Sequence, residues 1–309
     1  MDFEIQEFED FITSRKNRRA KSTLENYACA LRKYEEYLIE RDIQVEEVTG
    51  RQMDTFYGWL TADVSKSTAG QYVGNIAQFY DWLFIDSDRE NPSYKIQEDS
   101  VQSDPEHSKP TLKEEEVRDL IESADSMRGK ALLSLMASTG MRLREACESK
   151  LSNLDLDNRE LSIMTVKTDF GERTVYYDRK TRRYLNEYIH NGYRDKYHNP
   201  DSDYIFIASN TNQYSSEECI STDVGRRIFQ RALENSDIEQ KYEEMADGRQ
   251  RATMSTHILR RSFCQNWINS NGDIMSLRNI VGWKNLETAK EYISDDTSVD
   301  KRDRYGITL

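Results

Sequence analysis

The stretch that begins at Ser255 holds three elements able to act on a phosphodiester, His257-x-x-Arg260, Gly282-Trp283 and Tyr292. His257 and Arg260 stand one helical turn apart, so a single helix would present both to one place. Gly282-Trp283 follows, and Tyr292 lies 32 residues after Arg260 and nine after Trp283. Upstream, Thr139-Gly140-Met141-Arg142-Leu143-Arg144-Glu145 supplies a second arginine, and Lys167 precedes a turn-like Thr-Asp-Phe-Gly. A phosphodiester carries a negative charge that repels nucleophiles, and more charge gathers on its equatorial oxygens in the transition state. Arginine answers that charge with a planar, permanently charged fork. Two forks, Arg142 and Arg260, would neutralise it. Two arginines, a lysine, a histidine, an indole and a tyrosine suit the attack without a metal.

This set, in this order, resembles the tyrosine recombinase (integrase) family. The frame Gly282-Trp-Lys-Asn-Leu-x-Thr-x-x-x-Tyr292 is similar to the family's nucleophile segment. The resemblance implies that Arg142 and Arg260 clamp the phosphate and that Tyr292 attacks it, forming a phosphotyrosyl bond. A free phenol has a pKa of about 10, so neighbouring cations or a base must help it ionise. Lys167, in a hairpin where the family places a lysine, would protonate the departing 5′ oxygen. His257 would exchange protons with the nucleophile or bond a phosphate oxygen. Trp283 stands where the family more often has histidine. Indole donates one N–H and cannot shuttle a proton, so its expected role is phosphate hydrogen bonding and packing. Glu145 takes the family's acidic position and a supporting role, holding an arginine or the helix geometry.

The resemblance implies a site-specific DNA recombinase or integrase that cuts and rejoins DNA through a covalent 3′-phosphotyrosyl intermediate. No cofactor is expected: the cationic clamp does a metal's electrostatic work, the phosphotyrosyl bond conserves the energy of the broken phosphodiester, and no ATP-binding loop is present. The implied partner is double-stranded DNA, held by a homo-tetramer on two paired sites, with a monomer or dimer per site before synapsis. Two alternatives stay open, a type IB topoisomerase-like strand cleavage and a catalytically silent DNA-binding protein.

The elements that must position these groups read as mainly α with a small antiparallel sheet. Residues 1–97 are expected to be a helical, SAM-like core-binding domain, 98–110 a polar linker, and 111–309 an α+β catalytic domain. Leu24, Tyr27, Leu31, Tyr34 and Leu38 form one stripe of a helix that Ser22-Thr23 would cap. A second helix is expected near 51–60, and a third after Ser67-Thr68. Thr111-Leu-Lys-Glu114 resembles a capping box. Alternation at Leu161 and Ile163, then Arg173-Thr-Val-Tyr-Tyr after Gly171, predicts a hairpin near Lys167. Helical patterns return at 179–191, 222–235, 256–270, 274–281 and 286–294.

The chain has 309 residues, a formal net charge of −13 and 37% hydrophobic residues. That charge opposes a nucleic-acid partner until its distribution is read. Thr13–Lys33 carries seven Lys/Arg against one acid, and 248–272 carries four arginines and no acid. Basic faces can thus exist on an acidic body. Arg15, Lys16, Arg18, Arg19 and Lys21 are the expected DNA-backbone contacts. Arginine outnumbers lysine 27 to 16 against 56 acids, a balance that points to a salt-adapted host such as a halophilic archaeon or its virus. No apolar run approaches the roughly 20 residues a membrane span needs, and the acidic start is unlike a targeting peptide, so a cytoplasmic protein is expected. Cys29, Cys147, Cys219 and Cys264 are scattered and read as free thiols. Tyr305, Ile307 and Leu309 alternate after Tyr292, which suggests a tail that docks on a neighbouring subunit.

Overall fold

Apolar residues at helical spacing set most of the backbone. The computed structural model describes residues 3–96, 110–164, 172–197, 199–209, 219–240, 242–244 and 250–286. The chain divides into two units, Met1–Ser108 with Tyr242–Arg251, and Lys109–Lys241 with Ala252–Leu309.

The first unit is built on α1 (Gln6–Arg15), α2 (Lys21–Glu40), α3 (Gly50–Asp63) and α4 (Lys66–Leu83). The expected α2 stripe of Leu24, Tyr27, Leu31, Tyr34 and Leu38 is buried. It meets Phe8, Phe11, Phe56, Phe79 and Tyr80 in a core rich in aromatic rings. Phe8 and Phe79 meet edge to face at 4.8 Å and 79°, the arrangement that ring quadrupoles favour. Two tyrosines survive at the centre because their hydroxyls are satisfied. The Tyr34 and Tyr80 oxygens lie 2.6 Å apart, and Tyr80 donates to the Val45 carbonyl at 2.9 Å. A buried hydroxyl left unpaired would cost about 1–3 kcal/mol.

Helix starts depart from the expected caps. Helix α2 begins at Lys21 behind Ala20, with no side-chain cap from Ser22 or Thr23. Ser65, not Ser67 or Thr68, caps α4 by accepting from the Thr68 N–H. Thr49 and Gln52 close a capping box on α3.

The second unit holds α5 (Glu114–Glu122), α6 (Met127–Thr139), α7 (Leu143–Cys147), β1 (Leu154–Asp155), β2 (Glu160–Met164), β3 (Glu172–Tyr176), α8 (Arg179–His190), α9 (Thr222–Asn235), α10 (His257–Asn269) and α11 (Ile274–Val281). The box expected at Thr111 lies two residues later, where the Lys113 N–H donates to Glu116. Strands β1, β2 and β3 form one antiparallel sheet in chain order. Leu161 pairs with Val175 and Ile163 with Arg173, so these four side chains share the buried face. A two-stranded sheet, β4 (Tyr242–Glu244) and β5 (Gln250–Ala252), is not announced by the sequence, because neither strand alternates apolar and polar residues.

The run Ala131–Met136 of α6 packs with Ile258 and Leu259 of α10, Leu161 of β2 and Leu185 of α8. The entering chain is pinned to α10 by Ser262. Its hydroxyl accepts from the Leu112 N–H at 2.8 Å and donates to the Ile258 carbonyl at 2.9 Å. The expected linker, apart from Pro110, and the helix expected past Leu286 lie outside the described residues. Among the described residues, no helix is long and apolar enough to cross a membrane.

Candidate active site

Helix α6 stops at Gly140, which takes the left-handed conformation (φ 64°) and donates its N–H to the Met136 carbonyl at 3.0 Å. A side chain is strained there. Space forbids it as well, since a Cβ on Gly140 would stand 2.4 Å from the Phe263 ring of α10. The turn that delivers Arg142 is therefore pressed against the helix that delivers Arg260. Gly140→Ala is expected to lower the unfolding free energy by roughly 2–3 kcal/mol, strain and overpacking together. Urea unfolding measures it, and an unchanged midpoint would remove Gly140 from this account.

Arg142 enters α7 with extended dihedrals, and its backbone N–H donates to Glu145 Oε2 at 2.7 Å. Its guanidinium reaches Glu145 Oε1 at 3.3 Å and stays 42% exposed, whereas the Glu145 side chain is 7% exposed. Burial pushes the Glu145 carboxyl up. The Arg173 hydrogen bond and charge, with those of Arg142, outweigh that and hold it below its ordinary value.

Arg260 is 2% exposed. One terminal nitrogen donates to the Gly140 carbonyl and the other to the Val281 carbonyl, both at 2.7 Å. This fork joins the turn that leads into Arg142 to the turn that leads into Trp283. Helix α11 ends at Gly282, again left-handed (φ 67°). The chain then turns inward. Trp283, 3% exposed, packs with Cys264 of α10 and with Leu277 and Val281 of α11. Arg278 donates to the Trp283 and Lys284 carbonyls and fixes the exit from this turn.

His257 is the first residue of α10, exposed and one turn before Arg260. The second unit thus brings Arg142, Glu145, Arg260, the His257 turn and the Trp283 turn to one region. Lys167 and Tyr292 lie outside the described residues. Their nearest described neighbours are Met164, the last residue of β2, Glu172, the first of β3, and Leu286, just beyond Trp283.

Sequence reasoning missed Arg173. It stands opposite Ile163 on the buried face of β3 and is 8% exposed. It donates to Glu145 Oε2 at 2.8 Å and to the Ile280 carbonyl at 2.9 Å. The available clue was parity: Arg173 shares its face with Val175, and a charge on a buried strand face demands partners.

In the first unit, Arg15 ends α1, Lys16 caps it, Arg18 and Arg19 occupy the turn, and Lys21 opens α2. Lys16, Arg18, Arg19 and Lys21 are exposed, and the Arg15 guanidinium lies 5.3 Å from the centre of the Phe11 ring. Among the described residues none of the five forms an ion pair.

The chain belongs to the phage integrase family. That family's profile matches residues 110–298, and the profile described as the phage integrase N-terminal SAM-like domain matches 5–85. Among relatives, tyrosine recombinase XerC of Lactobacillus leichmannii is 26% identical over 168 residues, 54% of this chain and 50% of that protein. The chain thus spans about half the length of that relative. A putative tyrosine recombinase, TTE1313 of Caldanaerobacter subterraneus subsp. tengcongensis, is 22% identical over 91% of this chain and 89% of its own. The fold is similar to the Tn1549 transposon integrase, solved with transposon right end DNA, at a TM-score of 0.74 and 16% identity over 98% of this chain and 99% of that one. It is also similar to a lambda integrase dimer bound to a core site, at a TM-score of 0.68 and 14% identity over 95% and 96% of the two chains. Mainly helical architecture, a small antiparallel sheet and a SAM-like N-terminal domain are as the sequence implied.

Proposed function

We propose that the chain is a site-specific DNA recombinase that breaks and rejoins DNA strands through Tyr292. The observation that carries this reading is the buried Arg260 fork, which ties the Arg142 turn to the Trp283 turn through two carbonyls. A guanidinium so held is fixed before substrate arrives, and preorganised cations stabilise developing charge without reorganising. Arg142, more exposed, closes on the same phosphate from the other turn.

In the proposed step the Tyr292 hydroxyl loses its proton, which His257 accepts, and its oxygen attacks the scissile phosphorus. A P–O bond to tyrosine forms and the P–O5′ bond breaks. Lys167 gives a proton to the departing 5′ oxygen, and the 3′ phosphate stays on the protein. Reversal by a 5′ hydroxyl of another strand rejoins the DNA. Trp283 packs behind its turn and offers its N–H to a phosphate oxygen. Glu145 orients Arg142. The proposed assembly is a homo-tetramer on two paired sites, from one or two chains per site before pairing.

The test uses a nicked duplex bearing a site selected from random duplex DNA by binding to the full-length chain. The nick lets the cleaved strand's 5′ end diffuse away and traps the adduct. A covalent adduct in denaturing gels, with joint molecules when two sites are supplied, supports the reading. Adducts without joint molecules would favour strand cleavage of the topoisomerase kind, and binding without adduct a silent DNA-binding protein.

We place the DNA-backbone contact of the first unit at the turn from Arg15 to Lys21, where five cations have no acidic partner among the described residues. Replacing Arg15, Lys16, Arg18 and Arg19 with glutamine is expected to flatten the plot of log affinity against log salt by about 0.9 for each phosphate that is no longer neutralised. Titration of fluorescent duplex at several salt concentrations reads this slope. The same slope in the variant would assign the DNA-backbone role to another surface.

A further inference from the structure

Three segments of the candidate site meet on one side chain that the catalytic set does not include. Arg173 projects from β3, the strand that follows the Lys167 hairpin. One of its terminal nitrogens bonds Glu145 Oε2 at 2.8 Å, and Glu145 bonds both the backbone and the guanidinium of Arg142. Its Nε bonds the Ile280 carbonyl at 2.9 Å, in the last turn of α11. Its guanidinium also passes 3.2 Å from where a Cβ on Gly282 would sit, so it lies along the turn that aims Trp283. We propose that Arg173 is a positioning residue for strand cleavage, which sets Arg142 through Glu145 and sets the Gly282–Trp283 turn through Ile280. The proposal rests on the recombinase reading of the site.

A plain structural staple would need only a cation. The arrangement here uses the shape of guanidinium: two nitrogens serve acceptors on two different segments, which an ammonium cannot match in one geometry. The segment joined through Ile280 leads on towards Tyr292, and the one joined through Glu145 holds a phosphate clamp. Arg173 therefore fixes the Arg142 turn relative to the Gly282–Trp283 turn, and a misplacement near 1 Å costs about 100-fold in rate.

Glu145 supplies a readout that mere loss of packing would not move. The charged groups that face its carboxylate are Arg142 from the start of α7 and Arg173 from β3. Both favour the ionised form against the cost of burial, and the balance leaves it ionised below the ordinary carboxylate range. Removing Arg173 leaves burial the larger influence, so the carboxyl protonates at higher pH and releases Arg142. Cleavage by the variant, taken relative to the native protein so that the shared dependence on His257 and Lys167 cancels, should then rise with pH.

The experiment measures single-turnover adduct formation with the selected nicked duplex at saturating full-length protein, from acid to mildly alkaline pH. It compares the native chain with Arg173→Met, Arg173→Lys, Glu145→Gln and the Arg173→Met/Glu145→Gln double variant. Arg173→Met is expected to slow adduct formation about 100-fold at neutral pH and to leave half-saturation by DNA nearly unchanged. Its rate relative to the native chain should climb with pH, and the double variant should lose that relative climb. Arg173→Lys should recover part of the rate, and it decides the matter if Arg173→Met does not fold. A native rate in Arg173→Lys, or a pH profile parallel to the native one in a folded Arg173→Met, overturns the role of Arg173 alone. No adduct from the native chain overturns this role and the recombinase reading together.

Discussion

Tyr292→Phe is expected to abolish covalent adduct formation and to leave affinity for the selected duplex within about twofold, since one oxygen is lost and every cation remains. Few substitutions separate chemistry from binding so sharply. The phenylalanine ring keeps the volume of the tyrosine, so whatever packing the segment has is disturbed little. Denaturing gels read the adduct and fluorescence anisotropy reads binding. An adduct from the variant would move the nucleophile to another of the 18 tyrosines. Affinity that fell with cleavage would mean that Tyr292 holds DNA instead of attacking it.

The two arginines of the clamp should lose activity alike and stability differently. Arg142→Ala removes a 42% exposed guanidinium. Glu145 keeps its bonds to Arg173 and to the backbone N–H of residue 142. Stability should change by less than about 1 kcal/mol, and cleavage should fall about 10²–10³-fold. Arg260→Ala empties a fully buried site and strands the carbonyls of Gly140 and Val281. The loss of two satisfied acceptors is expected to cost about 2–5 kcal/mol, with cleavage reduced at least as far as in Arg142→Ala. Urea unfolding beside single-turnover cleavage tests the contrast. Equal stability in the two variants would show that the fork of Arg260 does not hold the site together.

How far the site was legible in the sequence follows from distance along the chain. His257 and Arg260 share one helix, so their type and spacing suffice to place them together. Gly140 marks the turn before Arg142 because a left-handed residue must end α6. Arg173 was opaque. Its partners Glu145 and Ile280 lie 28 and 107 residues away, and no local pattern joins an arginine on a strand to a carbonyl on a later helix. Trp283 shows the same limit. Its type suggests packing and one N–H to donate, but the turn at Gly282 decides where the ring lies, and the ring packs with Cys264, Leu277 and Val281. The helical stripes were plain because burial repeats every three or four residues. The caps were not, because Ser65, Ser67 and Thr68 offer the same chemistry within four positions and the backbone chooses among them.

The bond from the Leu112 amide to the Ser262 hydroxyl gives the chain, where it first enters the second unit, a mechanical address. Residue 112 is the first buried, hydrogen-bonded anchor after the expected tether, and it is tied to α10 just two residues beyond Arg260. A pull on the tether is thus borne by the helix that carries His257 and Arg260 at one end of its load path.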